Sequence, residues 1–305
     1  MLSTTKTELI DIADLDVIFL TYDEPRRDEF WLQLKNMVPW ARRVDGVKGS
    51  DAAHKAAGMA STTERFILID GDNVPDAAFF NCQLAVDSGD DSHRGVFRWK
   101  ARNQINGLIY GNGGISSWTR EFVANMRTHE NSDGRSESQI EFCFEPNYWA
   151  MHDCYSTTYP NQTPFQAWRA GFREGVKMCL DRGRRPDLTE FEARVHHRNY
   201  DNLCVWHSVG ADVENGFWAM LGARAGTYKT MLTDWDYREV QDFDALQLIW
   251  NDHSQAQAAD LVELGDTLRR RLGLPIVDLS RSDSEFFKHH YQRNWRNRGV
   301  MQRDQ

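Results

Sequence analysis

The sequence predicts an α/β fold, an open sheet flanked by helices and followed by a mainly helical C-terminal region. Three observations predict it. Apolar runs of strand length alternate with segments of helical spacing through the first seventy residues, the pattern of an open α/β sheet. The runs end in acidic or hydroxyl-bearing residues, and such sheets bind ligands beyond the carboxyl ends of their strands. The C-terminal portion, including Gln255 to Leu272 with Gly273 after it, is spaced as helices.

In order, Asp16 to Tyr22 is a short apolar run closed by Asp23-Glu24-Pro25, a buried strand leading into a loop. Glu29 to Val38 spaces Phe30, Leu32, Leu34 and Met37 as on a helix, which Pro39 ends. Arg43 to Val47 is a short strand. Ser50 or Asp51 caps a helix from Ala52 to Ala60, whose alanines are strong helix formers. Arg65 to Ile69 is the next strand and runs straight into Asp70-Gly71-Asp72-Asn73. Gly95 to Arg102 alternates as a strand, and Gly107 to Tyr110 is another, ending in the loop Gly111-Asn112-Gly113-Gly114. Asn131 to Ser138 is polar, Tyr148 to Thr158 forms a further strand, and Pro164 opens a helix from Phe165 to Leu180. There is no internal repeat.

At 305 residues the chain has room for one large domain or two smaller ones. Hydrophobic residues make up 41% and charged residues 27%, globular proportions, and no apolar stretch approaches the roughly 18 residues a membrane helix requires. The acidic N-terminal segment lacks the basic and apolar regions of a signal peptide, so a cytoplasmic protein is expected. Five cysteines without a C-x-x-C pair exclude a zinc ribbon and argue for reduced thiols. A net charge of −9 excludes a protein that coats nucleic acid nonspecifically, while leaving a local basic groove open.

Asp70-Gly71-Asp72 puts two carboxylates on one turn after an apolar strand, a pair suited to Mg²⁺ or Mn²⁺ bridging a diphosphate. The alternative is an ordinary acidic turn, and Asp23 and Asp45 at neighbouring strand ends favour the site. Lys48, His54 and Lys55 surround the start of the second helix, where free backbone N–H groups could meet a phosphate; a solvated helix face is the alternative. Gly113-Gly114 permits close backbone approach to a ligand. Arg169, Arg173 and Lys177 recur at i, i+4, i+8 after Pro164, a basic stripe flanked by Trp168 and Phe172 that suits a phosphate backbone or internal ion pairs. Trp149 and Trp168 are candidate stacking platforms for a base. Lys288, Arg293, Arg296 and Arg298 surround Trp295 near the C-terminus. No dinucleotide fingerprint, P-loop, nucleophile elbow or His-Glu-x-x-His is present.

Thr21 to Glu24 at the end of a strand, Trp40 to Gly49, Ala53 to Ala57 and Ile69 to Asp72 resemble a GT-A-type glycosyltransferase. Gly113-Gly114, Pro164 to Glu174 and Ser208-Val209-Gly210-Ala211-Asp212 more narrowly resemble the phage glycosyltransferases associated with TET/JBP dioxygenases, relatives of the base J glucosyltransferase. The likeness runs from about Asp16 to Gly226. It implies a GT-A-like, Rossmann-like mixed sheet and transfer of a sugar from a UDP-sugar to the hydroxyl of a 5-hydroxymethylpyrimidine in DNA, in the host cytoplasm if the chain is phage-encoded. Residues 1–125 would form the donor half, 126–226 the acceptor half and 227–305 the helical region. Asp70 and Asp72 match the metal-binding Asp-x-Asp, with Mn²⁺ or Mg²⁺ as cofactor. Thr21, Tyr22, Asp23, Asp45 and Gly71 fall where such enzymes bind the nucleotide, Lys48 and Lys55 lie near the donor, and Gly113-Gly114 falls between donor and acceptor. Trp168, Arg169, Arg173 and Lys177 would meet DNA. The place of the catalytic base holds Glu141, with Glu145 and Asp153 as competitors.

Three other readings use the same residues. A glycan could replace DNA as acceptor. The sheet could bind a nucleotide or a DNA end without catalysis. A nucleotidyltransferase also needs paired aspartates and a metal, but the absence of a glycine-rich basic loop after the first strand weighs against it.

Overall fold

The apolar run from Asp16 becomes a central strand because its side chains alternate between two buried faces. In the computed structural model, which describes residues 7–87, 91–131, 142, 143 and 145–290, strand β1 is Thr7–Asp11 and β2 is Asp16–Thr21. Strands β3 (Arg42–Asp45), β4 (Arg65–Asp70), β5 (Asn73–Pro75), β6 (Gln83–Asp87), β7 (Val96–Asn103), β8 (Ile109–Thr119) and β9 (Tyr148–Thr158) follow. Helices α1 (Arg27–Met37), α2 (Ser50–Ala60) and α3 (Arg120–Asn125) lie among them. The chain after β9 contains α4 (Pro164–Met178), α5 (Phe191–Arg194), α6 (His197–Ser208), α7 (Gly216–Leu232), α8 (Phe243–His253), α9 (Ala258–Leu272) and a last helix over 281–290.

The chain divides into two compact units. The first comprises residues 1–102, 109–133 and 141–159, the second 103–108, 134–140 and 160–305. The main division falls after β9.

The first unit is a mixed α/β structure. Its main sheet has the order β3-β2-β4-β8-β7-β9-β5, with β2 parallel to β3 and β4, and β8 antiparallel to both β4 and β7; β1 and β6 pair separately. Val17, Phe19, Ile67 and Ile69 pack with Phe30 and Leu34 of α1 on one face. Ile18, Phe66 and Leu68 pack with Ala57 of α2 and Val123 of α3 on the other. Burial on both faces is why these strands read as continuous apolar runs rather than alternating ones. One expected loop is absent: Gly111 to Gly114 lies inside β8, which continues to Thr119.

The second unit is helical, around Trp168, Phe172, Val176, Leu180, Leu221 and Leu246. Its centre is a glycine-lined crossing of α4 and α7. A Cβ added at Gly171 would stand 1.9 Å from the Ala219 carbonyl oxygen, and one at Gly175 2.2 Å from that of Ala223. On the facing helix, Gly222 and Gly226 approach the carbonyls of Trp168 and Phe172 at 2.1 and 2.2 Å in the same sense. Arg224, fully buried, ties the neighbouring elements together. It donates to the His207 carbonyl and to the Leu261 carbonyl, and pairs with Asp278 at 2.7 Å. Among the described residues no helix is long and apolar enough to cross a membrane.

The crossing predicts that Gly171→Ala or Gly222→Ala forces the two backbones apart. The expected loss is about 1–3 kcal/mol, read as a lowered urea midpoint for the second unit; an unchanged midpoint would show that the helices separate freely.

Candidate nucleotide and metal site

Three strand ends lie side by side in the first unit. Thr21 is the register partner of Asp45, and Leu20 that of Asp70, so the residues that follow the three parallel strands share one edge of the sheet. This part of the expected site is brought together.

Asp45 is the neutralised member. Its Oδ1 accepts the Thr21 hydroxyl at 2.6 Å and stands 3.4 Å from Arg43 and 3.7 Å from Arg27. The Thr21 hydrogen bond and then the two guanidinium groups hold its carboxyl below the usual range. Arg43 is the hub, since its Nε also donates to Thr21 Oγ1 at 2.9 Å and its Nη1 to Asp28 at 2.5 Å. Tyr22 is exposed beside this cluster, and its backbone N–H donates to Glu24 Oε2 at 2.8 Å.

At the end of β4 several carboxylates crowd one another. Asp70 reaches solvent, but desolvation by the surrounding protein, then the charges of Asp72 and Glu24, push its carboxyl up to about 8. Glu24 is also raised, by burial and by Asp72 and Asp23. Its carboxylate lies against the turn: a Cβ at Gly71 would meet Glu24 Oε2 and Thr21 Cγ2 at 2.8 Å each, so a larger residue there would displace the Glu24 side chain. Asp72 Oδ1 accepts from the Asn73 amide at 2.7 Å, and its Oδ2 accepts the Thr158 hydroxyl at 3.1 Å. Asn73 is buried, and its own carbonyl oxygen accepts Ser156 Oγ at 3.1 Å. Gly114 lies beside it with φ of +67°, and a Cβ there would fall 2.1 Å from Asn73 Nδ2.

Among the described residues no three His, Cys, Asp or Glu side chains are grouped so as to hold a metal ion. Asp70 and Asp72 offer carboxylate oxygens on one turn, the donor type that hard divalent cations take.

Several expected contacts are corrected by the structure. The start of α2 is not open to phosphate, because the Glu130 carboxylate accepts the backbone N–H of Ser50 at 2.7 Å and of Asp51 at 3.3 Å. An internal anion thus meets the positive helix end. Lys55 pairs with Asp51 at 2.6 Å, whereas Lys48 is exposed. His54 is a structural residue: Nδ1 faces the Ser50 carbonyl at 2.8 Å and the ring packs on Phe142 and Trp118.

Trp168 is fully buried in the core of the second unit and is therefore not a contact for DNA. Arg169, Arg173 and Lys177 are only half-exposed, with the Arg169 guanidinium over the rings of Phe165 and Phe243 and that of Arg173 over Phe243. Trp149 is exposed. Lys288 pairs with Asp212; the rest of its basic cluster lies outside the described residues.

Glu141, the expected base, also lies outside the described residues. Glu145 is engaged by the backbone and guanidinium of Arg127. Asp153 is exposed on β9, five residues before Thr158. At about 3.3 Å per residue that is roughly 16 Å of strand, so β9 carries Asp153 away from the acidic turn.

The sequence reading missed Glu24, Asn73, Thr158 and Glu130. Glu24 had a signal, standing in an acidic loop directly after β2. Thr158 and Glu130 had none, because their partners lie 86 and 80 residues away. No protein-family model matches the chain, and no curated protein matches it.

Burial gives His54 a testable signature. Desolvation lowers its imidazole to about 4, so below pH 6.5 the unfolded chain takes a proton that the folded chain refuses, and stability falls as pH drops toward 4. Between pH 7 and 5 the wild type should lose on the order of 1–2 kcal/mol more than His54→Phe, measured by urea unfolding at both pH values. Parallel losses in the two proteins would refute the buried neutral state.

Proposed function

We propose that the protein is a metal-dependent GT-A-type glycosyltransferase that moves a sugar from a UDP-sugar to the hydroxyl of a 5-hydroxymethylpyrimidine in DNA. The observation that carries the reading is the carboxylate turn Asp70-Gly71-Asp72 at the end of a strand in a mixed α/β sheet, with the Asp70 carboxyl raised by desolvation and its acidic neighbours, beside Thr21 and Asp45 on the same sheet edge. The parallel β3-β2-β4 part of the sheet and the antiparallel β8 next to it support the same reading.

In this reading Asp70 and Asp72 hold Mn²⁺ or Mg²⁺. Bound there, the cation offsets the charge of the departing diphosphate. Thr21 and Asp45 form a hydrogen-bonding edge for the nucleoside, ordered by Arg43, and the exposed Tyr22 offers it an aromatic face. Lys48 contributes positive charge near the donor. The hydroxymethyl oxygen is a poor nucleophile at neutral pH, so a carboxylate that accepts its proton accelerates attack at the anomeric carbon; Glu141 takes this role on sequence grounds.

A non-DNA acceptor such as a glycan is the second reading. It is favoured by the partial covering of the basic stripe, whose arginines stand over aromatic rings and are half-buried.

Two experiments separate these possibilities. Purified protein incubated with hydroxymethylated DNA and a panel of UDP-sugars should yield nucleosides heavier by one sugar. Asp70→Asn or Asp72→Asn should abolish that product without lowering the melting temperature, and transfer that persists in EDTA would sink the metal assignment. Replacing Arg169, Arg173 and Lys177 together by glutamine should weaken DNA binding across all sequences and flatten its salt dependence. An unchanged salt slope would assign the stripe to packing and shift the acceptor toward a glycan.

A further inference from the structure

We propose that the last helix, residues 281–290, is a latch over the turn Ser208-Val209-Gly210-Ala211-Asp212, and that it opens as a unit while the helical core beneath it stays folded. Alternate residues of that turn each hold one point of the C-terminal segment. Ser208 Oγ accepts the Val277 backbone N–H at 3.0 Å, the Gly210 backbone N–H reaches Ser284 Oγ at 3.5 Å, and Asp212 pairs with Lys288. Lys288 Nζ also donates to the Ile105 carbonyl at 3.4 Å. All of these residues belong to the second unit, and the inference is independent of the glycosyltransferase reading.

Different forces hold the two parts of the C-terminal segment. Up to Asp278 it is anchored in the core: Leu274 and Ile276 are buried, Arg269 Nη1 donates to the Ile276 carbonyl at 2.7 Å, and Asp278 pairs with the fully buried Arg224. Beyond Asp278 the apolar anchoring stops. Of the described residues 281–290 only Ser284 is buried, Phe287 and Lys288 are half-buried, and Phe286 is 64% exposed. A helix that buries no apolar side chain completely gains little from hydrophobic burial. Elements of this kind open at the low end of a protein's local stabilities, and the change of anchoring after Asp278 marks the hinge.

The Lys288–Asp212 pair is the lock, and it makes opening all-or-none. The two side chains are 18% and 9% exposed, so withdrawing the ammonium beneath a closed helix would strand a buried carboxylate without its counter-charge. Breaking the pair and lifting the helix therefore occur together. The Lys288 stem is seated against Gly107, where φ is +75° and a Cβ would stand 3.2 Å from Lys288 Cγ. Asp212 Oδ1 and the amide nitrogen of Asn106, next to Gly107, are buried with no hydrogen-bond partner among the described residues. Water reaches such groups when the latch lifts, which offsets part of the lost ion pair. Opening uncovers the Asp212 carboxylate and the Gly210 N–H, so the latch controls access to the turn.

The test is amide hydrogen exchange of the full chain at neutral pH, read by mass spectrometry. In the wild type, residues 281–290 and the amide of Gly210 should exchange together and faster than α4 and α7. Lys288→Met, which keeps the stem and removes the ammonium, should speed exchange at 281–290 and 208–212 about 10-fold or more, with α4 and α7 unchanged. Asp212→Asn should do the same from the other side of the pair. Phe286→Ala, on the exposed side of the same helix, should leave the pattern close to wild type. Wild-type exchange at 281–290 as slow as in α7 would overturn the proposal, because the helix would then open only with the core. Acceleration that spreads equally to α4 and α7 in both pair variants would also overturn it, by making the pair part of the core. Exchange unchanged in both variants would show that the pair does not hold the helix.

Discussion

The geometry of the acidic turn depends on one close approach, the Asn73 amide lying against the backbone of Gly114. Gly114 adopts a positive φ within β8, and any Cβ there would coincide with the amide. With that space available, Asn73 can be buried and still satisfy both ends of its side chain, through Ser156 and Asp72. An amide buried without those partners would be costly, so the hydrogen bonds and the glycine stand or fall together. Strands β5, β8 and β9 and the end of β4 meet in this single arrangement. Gly114 therefore contributes to the site through packing against Asn73 under the turn, within β8 rather than in a separate loop.

The sheet edge sorts its carboxylates into two electrostatic classes. Asp45 sits among arginines and hydroxyls and is held ionised, with its charge largely answered inside the protein. Asp70, Asp72 and Glu24 stand together, and the result is an Asp70 carboxyl pushed well above the ordinary range by desolvation and by its neighbours. Like charges in such proximity oppose folding, and the sheet tolerates them because Val17, Phe19, Ile67 and Ile69 bury one face and Ile18, Phe66 and Leu68 the other. An unfavourable cluster on a well-buried scaffold is the usual physical signature of a functional site, although structural networks also shift carboxyls.

The strands and helices of the first seventy residues were legible because local spacing dictates them: β2, α1, β3, α2 and β4 all fall within a few residues of where the pattern puts them. The alignment of Thr21, Asp45 and Asp70 was legible for the same reason, since parallel strands with short helical crossovers present their carboxyl ends on one edge. What could not be read was set by partners distant in sequence. Glu130 closes the α2 terminus from 80 residues away, and Thr158 reaches Asp72 from 86. Trp168 shows the complementary failure. A tryptophan flanking a basic stripe fits a stacking platform and a helix core equally well from spacing alone, and tertiary packing decided for the core.

The same distinction bears on the segment from Pro164 to Glu174, which carries part of the likeness to DNA-modifying glycosyltransferases. In the structure it is the first half of a helix seam, where Gly171 admits the backbone of α7 and Trp168 and Phe172 fill the space on either side. Proximity at that level constrains residue type as strictly as chemistry does, because a methyl group would meet a carbonyl oxygen. The residue types in this segment are therefore accounted for by the packing of α4 against α7 and say little about an acceptor. The chemical argument rests instead on the turn after β4, where Asp70, Asp72 and Glu24 crowd one another and the Asp70 carboxyl is raised by desolvation and by those neighbours.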